Sequence, residues 1–224
     1  VGPSDVQLDL MGNYARPRAL REDEILALVQ RFADVAVIAR DTGFTGVQVH
    51  GAHGYLLSSF LSPVTNLRTD AWGGSLANRA RFLVETVHAV RKAVGRDFPV
   101  SVKLNSDDFR KGGFSSADCL GVVELLNGEG LDLLEISGGN YEQPRLLGMS
   151  GRDDDAVQVR ESTKVREANF LDYAAAIRRV ATMPMMVTGG FRTRAGMEAA
   201  LATGDTDMIG LGRPFCTHPD VARR

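Results

Sequence analysis

The sequence predicts an α/β fold built on a parallel sheet, and three observations carry the prediction. Short β-rich apolar runs alternate with longer helical patterns along the whole chain, the order that buries a parallel sheet under its own crossover helices. The helical patterns carry recognisable starts and stops. Glycine-rich turns follow the last two apolar runs, TGGFR (188–192) and GLGRPF (210–215), where barrel enzymes commonly hold phosphate.

The strands are GVQVH (46–50), PVSVKLN (99–105), LDLLEISG (131–138), PMMVTGG (184–190) and DMIGLG (207–212). The first helix, over 23–43, has an acidic first turn, apolar residues at helical spacing and a closing Gly43. Ser75 caps the next, which runs to Gly95. Further helices are expected from about Ser115 to Gly128, Glu167 to Ala181 and Thr193 to Ala202, with Pro219 opening one more. Residues 1–22 and 139–166 show no periodic pattern. The second stretch is long enough, after a strand, to read as a lid over a site, and its balanced charge argues against a nucleic-acid surface.

Composition narrows the class. With 224 residues, 44% of them hydrophobic, and a formal net charge of −2, the chain has the bulk for one cored domain and no bias toward nucleic acid or membrane surface. No apolar run approaches the roughly 20 residues of a spanning helix, so a cytoplasmic enzyme is expected. Cys119 and Cys216 form neither a CxxC pair nor a metal spacing and read as reduced packing cysteines. A start at Val1 rather than Met suggests an excised or processed piece.

The chemistry-bearing residues gather at strand ends. Gly189, Gly190 and Gly212 let backbone N–H groups approach an anion, and Arg213 can clamp it, so these two turns read as a phosphate cup. Plain turn glycines are the alternative. His50 and His53 lie at and just beyond the end of a strand, where a tight turn could aim both imidazoles at one point. They could be metal ligands, acid/base groups or paired hydrogen-bond donors. Two histidines without a nearby carboxylate or thiol make a poor metal site, and paired donors to an oxygen that gains charge fit best. Tyr55 then offers a phenol as proton donor. Lys103 is a cation inside a buried strand pattern, costly unless it meets an anion or an electron-rich ligand. His88 and His218 read as solvated, and Asp153, Asp154 and Asp155 as a wetted loop.

The stretch HGAHGYLLSSFLSPVTNLRTDAWGGSLANRARF (50–82) resembles the signature of the old yellow enzyme family of FMN-dependent NADH:flavin oxidoreductases and ene-reductases. The likeness continues through PVSVKLN, LDLLEISGG, REANFLDYA, VTGGFRT and GLGRPF. It implies a TIM (β/α)8-barrel and places the substrate-oxygen donors at His50 and His53 and the proton donor at Tyr55. It also implies a cation by the flavin ring at Lys103 and the FMN phosphate at Gly189, Gly190, Gly212 and Arg213. The implied reaction passes hydride from NAD(P)H through FMN to the β-carbon of a small-molecule α,β-unsaturated carbonyl, without metal. Trp72 replaces the usual Tyr or Phe, and Ala77 stands where Glu is common.

A full barrel takes about 250 residues, yet five strands are counted here. The resemblance aligns them with the fourth to eighth, making residues 1–224 a single partial barrel domain whose first three strands are absent from the chain. An unclosed sheet leaves two open edges, so a complementing N-terminal segment or homo-oligomer is expected, as is weak flavin affinity in isolation. A non-catalytic barrel fragment that binds a partner chain or phosphate ligand is the alternative, and a lysine-dependent aldolase-like barrel is a third reading.

Overall fold

The computed structural model describes residues 1–8, 14–139 and 170–223. Within them, β1 (Val47–Gly51), β2 (Val100–Asn105), β3 (Leu133–Ser137), β4 (Met185–Thr188) and β5 (Met208–Gly210) form one sheet. They pair in the order β1-β2-β3-β4-β5, each parallel to its neighbour. All five strands expected from the sequence are present, in chain order. Consecutive parallel neighbours joined through helices are the architecture of a barrel arc, and this arc is open, with β1 and β5 at its edges.

The helices are α1 (Glu22–Asp41), α2 (Leu56–Leu61), α3 (Leu76–Val94), α4 (Ser116–Leu126), α5 (Leu171–Arg178), α6 (Arg194–Ala202) and α7 (Arg213–Thr217). Their ends follow local chemistry. Three acidic residues open α1, and the Glu24 carboxylate accepts the Arg21 backbone N–H at 2.9 Å, favourable at the positive end of a helix. Ser75 accepts the Asn78 N–H at 3.3 Å. Ser115 and Asp118 close a reciprocal capping box on α4.

Three expectations are corrected. The six-residue α2 was not anticipated, being shorter than two helical turns. The helix predicted over 167–181 ends at Arg178, and residues 167–169 lie outside the described set. No helix opens at Pro219: α7 forms earlier, with Pro214 in its first turn, followed by a single 3-10 turn at Val221–Arg223. Of the predicted lid, 139–166, all but its first residue lies outside the described residues, as does the acidic run at 153–155.

Side chains alternate across the sheet. Val49, Val100, Val102, Leu104, Leu134, Ile136, Met185 and Val187 are buried in one core with the helices. There Phe82 of α3 meets Phe60 of α2 edge-on at 4.9 Å, an arrangement favoured by the ring quadrupoles. Between α3 and α4, Arg79 pairs with Asp118 at 3.0 Å and donates to the Leu61 carbonyl. The opposite face carries Gln48, His50, Ser101, Lys103, Asn105, Glu135, Ser137 and Thr188.

The signature segment 66–73 is largely architectural. Asn66 donates to the carbonyls of Phe60 and Trp72, both at 2.8 Å. Arg68 donates to the carbonyls of Pro3 at 3.1 Å and Leu20 at 2.6 Å, fastening the N-terminal segment. A side chain at Gly73 would collide with Arg68. The same N-terminal segment pairs with itself through Gly2 N–H to Arg18 O at 3.0 Å and Leu20 N–H to Gly2 O at 2.9 Å.

Cys119 is free and buried on α4, as expected. Cys216 is free but exposed, which corrects its reading as a packing residue: α7 has no buried residue at all. His88 is exposed and meets Glu129 at 3.0 Å, and His218 is exposed.

Candidate active site

A parallel sheet delivers the C-terminal ends of all its strands to one rim, so His50, Lys103, the Gly189-Gly190 turn and Gly212 share that edge. His50 of β1 aligns with Lys103 of β2, and Lys103 with Glu135 of β3. In a parallel pair aligned residues project to the same side, which puts all three on the polar face.

His50, His53 and Tyr55 converge. The imidazoles of His50 and His53 have centroids 5.3 Å apart, and the Tyr55 ring lies 5.1 Å from His50. The turn that achieves this bends at Gly54, with φ 78, and at His53 itself, with φ 63, a region L-residues seldom enter. His53 Nε2 lies 2.8 Å from Ser137 Oγ, which fixes the ring against the end of β3. Tyr55 is 48% exposed, open to an incoming molecule.

Both imidazoles are held neutral. Burial lowers the His53 pKa to about 4, assisted by the positive charge of Lys103 and by the neighbouring His50, and opposed by Glu135. His50 is lowered by the same burial and by Lys103, again against Glu135. A neutral imidazole keeps one N–H to donate, which suits it to hold an oxygen.

Lys103 does not wait for a ligand. Its ammonium lies 2.8 Å from Glu135 Oε1, with side chains 16% and 7% exposed. Gln48 donates to the other carboxylate oxygen at 2.8 Å. Burial pushes the Glu135 pKa up, yet the lysine, Gln48 and their neighbours bring it below the usual carboxylate value. Sequence reasoning missed Glu135, although a glutamate inside the apolar run LDLLEISG was signal enough: a buried lysine and a buried glutamate on successive strands call for each other. Asn105, Asp108 and Ser137 were also missed. Burial raises Asp108 to about 6, against its bonds from Asn105 and the Phe114 N–H. The pairing of Lys103 works against a free amine for Schiff-base chemistry. Among the described residues no group of three or more His, Cys, Asp or Glu could hold a metal.

At the far side of the sheet, Gly189 and Gly190 adopt φ 131 and φ 84, conformations reserved for glycine. Gly212 follows the neighbouring strand, and a side chain there would meet nothing within 4 Å. The two turns are adjacent because Thr188 aligns with Gly210. Beside Tyr55, a cavity of about 510 Å³ lies between Pro3, Tyr14 and Pro17 of the N-terminal segment and Leu56, Ser62 and Asp108.

Neutral paired imidazoles, a phenol and a buried cation thus gather on the rim of a parallel barrel arc whose other end is lined by glycines. The chain belongs to the NADH:flavin oxidoreductase / NADH oxidase family, whose model matches residues 1–224. It is 42% identical over 210 residues to the NADH-dependent flavin oxidoreductase iccE of Talaromyces variabilis, covering 92% of this chain and 49% of that protein. It is 33% identical to an NADH oxidase of Thermoanaerobacter brockii, over 100% of this chain and 32% of that one. Among solved structures, the old yellow enzyme homologue from Zymomonas mobilis superposes with a TM-score of 0.78 at 28% identity, covering 100% of this chain and 59% of the other. A 2-naphthoyl-CoA reductase complex gives 0.85 at 29% identity, covering 100% and 33%. The chain thus spans half or less of the length of these two curated relatives, as a partial barrel should.

Proposed function

We propose that this chain forms the acceptor-binding and phosphate-binding part of an FMN-dependent NAD(P)H oxidoreductase that reduces a carbon–carbon double bond conjugated to a carbonyl. One observation carries the reading: two neutral imidazoles with ring centroids 5.3 Å apart lie beside an exposed phenol, 5.1 Å from His50.

The residues present fit FMN. Gly189, Gly190 and Gly212 leave backbone and space for a phosphate, with Arg213 next to Gly212 in sequence, and Lys103 would supply positive charge at the electron-rich edge of the ring. When bound, FMN supplies a ring that accepts hydride from NAD(P)H and donates it onward. The protein's contribution is placement and polarisation. His50 and His53 donate hydrogen bonds to the acceptor's carbonyl oxygen, which lowers the cost of negative charge growing there. Tyr55 delivers a proton to the α-carbon from the open side. Lys103, tied to Glu135 and Gln48, holds positive charge at a fixed point without leaving it unpaired in a buried setting.

The test is colour. FMN is titrated into the purified chain and quenching of flavin fluorescence is followed. The bound flavin is then bleached with NADH without oxygen and challenged with 2-cyclohexenone. Binding weaker than that of a full-length relative, bleaching, and recovery of the yellow colour on adding the enone are expected. A chain that leaves flavin fluorescence unchanged at millimolar protein would overturn the cofactor assignment for this polypeptide. Flavin that bleaches but is not reoxidised by the enone would overturn the acceptor class.

A further inference from the structure

The last residue of β2 takes no part in the chemistry above, yet it touches three strand-end loops at once. Asn105 is 1% exposed. Its Oδ1 accepts the backbone N–H of His53, after β1, at 3.1 Å. Its Nδ2 donates to Asp108 Oδ1, after β2, at 2.8 Å and to the Gly139 carbonyl, after β3, at 3.0 Å.

The direction of the amide is determined by its partners. A carbonyl and an ionised carboxylate only accept, so the NH2 must turn to Gly139 and Asp108. The oxygen is left for the one donor, His53 N–H. Asp108 is itself anchored: it is 3% exposed, its N–H donates to the Phe114 carbonyl at 2.9 Å and its Oδ2 accepts the Phe114 N–H at 3.3 Å.

His53 needs such an anchor. At φ 63 it occupies a conformation that costs on the order of 1 kcal/mol for a non-glycine residue and persists only where surroundings enforce it. Released to an extended backbone, its imidazole would swing off Ser137 Oγ and away from His50.

We propose that Asn105 is a positioning residue that holds His53 in its left-handed conformation, with Asp108 fixing which way the Asn105 amide faces, so that the His53 imidazole stays aimed alongside His50. The catalytic consequence rests on the reading of the two histidines as donors to the acceptor oxygen. The placement of His53 does not.

The experiment uses the whole chain without cofactor, labelled with 15N-histidine, and reads His53 by NMR, its signals assigned by their loss in His53→Gln. In the unaltered protein the His53 backbone N–H is expected to exchange at least about a hundredfold more slowly than an unprotected amide. Asn105→Leu removes the acceptor. Asn105→Asp keeps the shape but sets an oxygen against Asp108 and Gly139. In either variant the His53 ring signals are expected to move, while those of His88 and His218, both exposed, stay in place. Unprotected exchange at His53 in the unaltered chain overturns the proposal even if neither variant folds, and so does an unshifted His53 ring in a folded variant. Failure to bind FMN would sink the functional reading and leave these outcomes untouched. If flavin binds, Asn105→Asp is expected to lower kcat/KM for the enone about tenfold or more, with FMN affinity unchanged.

Discussion

Replacing Lys103 by methionine tests how the polar face of the sheet is held. The substitution keeps the length of the side chain and removes the charge. Glu135, 7% exposed, is then left with neutral partners such as Gln48 at 2.8 Å and Thr188. Breaking a buried pair from one side costs about 3–5 kcal/mol because the other charge stays buried and uncompensated. With a urea dependence of about 2–3 kcal/mol per molar for a chain of this size, the unfolding midpoint should fall by about 1–2.5 M at pH 7. Fluorescence of Trp72, the single tryptophan, reports it. The pH dependence is the sharper check. In the unaltered chain Glu135 has a depressed pKa, so its contribution is present above its unfolded value of about 4.3 and is lost as pH falls through the folded one. Without Lys103 burial dominates and raises the pKa, so the variant takes up a proton on folding and is penalised above the unfolded value. The histidines act in the same direction, since Lys103 depresses both. The stability gap between the two proteins should therefore shrink from pH 7 toward pH 4.5. A double variant, Lys103→Met with Glu135→Leu, should recover most of the loss. A midpoint shift below about 0.3 M at pH 7, or a gap indifferent to pH, would refute the buried-pair account.

Other outcomes follow from single residues. His53, held at about 4 against about 6.5 unfolded, makes the folded chain bind fewer protons between those values, so its contribution to stability rises with pH across that window. The difference between the unaltered chain and His53→Gln, from urea titrations at several pH values, should grow from pH 4 to 6.5; a flat difference would mean the imidazole is not buried neutral. Tyr55→Phe should slow enone reduction about a hundredfold while leaving FMN titrations unchanged, and equal turnover would assign the proton to water. Ellman's reagent should modify Cys216 rapidly in the native chain and Cys119 only after unfolding, because Cys119 is buried and its thiol pKa is pushed up by that burial; two fast thiols would contradict the packing of α4.

The sheet was legible because its apolar runs are continuous: a strand buried on its helix-facing side by Val100, Val102 and Leu104 declares itself without help from its neighbours. His50, His53 and Tyr55 were legible because they sit within one short turn, where sequence proximity is spatial proximity. Glu135 and Asn105 were not, since what they do depends on register. Lys103 meets Glu135 only because β2 and β3 align those two positions, and Asn105 reaches His53 only because β1 and β2 lie side by side. The chemistry of a buried charge warns that a partner exists, but strand pairing names it. Short elements escaped for another reason: six residues of α2 and five of α7 contain too few turns for a period to show, and α7 buries nothing that would mark a face.

Arg68 gives the molecule a fastening whose failure would be felt elsewhere. One guanidinium grips the carbonyls of Pro3 and Leu20, pinning both ends of the strap that walls the cavity beside Tyr55. Replacing Arg68 would remove both fastenings at once and loosen that wall, although Arg68 is not among the residues lining the cavity. The shape of that cavity thus depends on a side chain that does not line it.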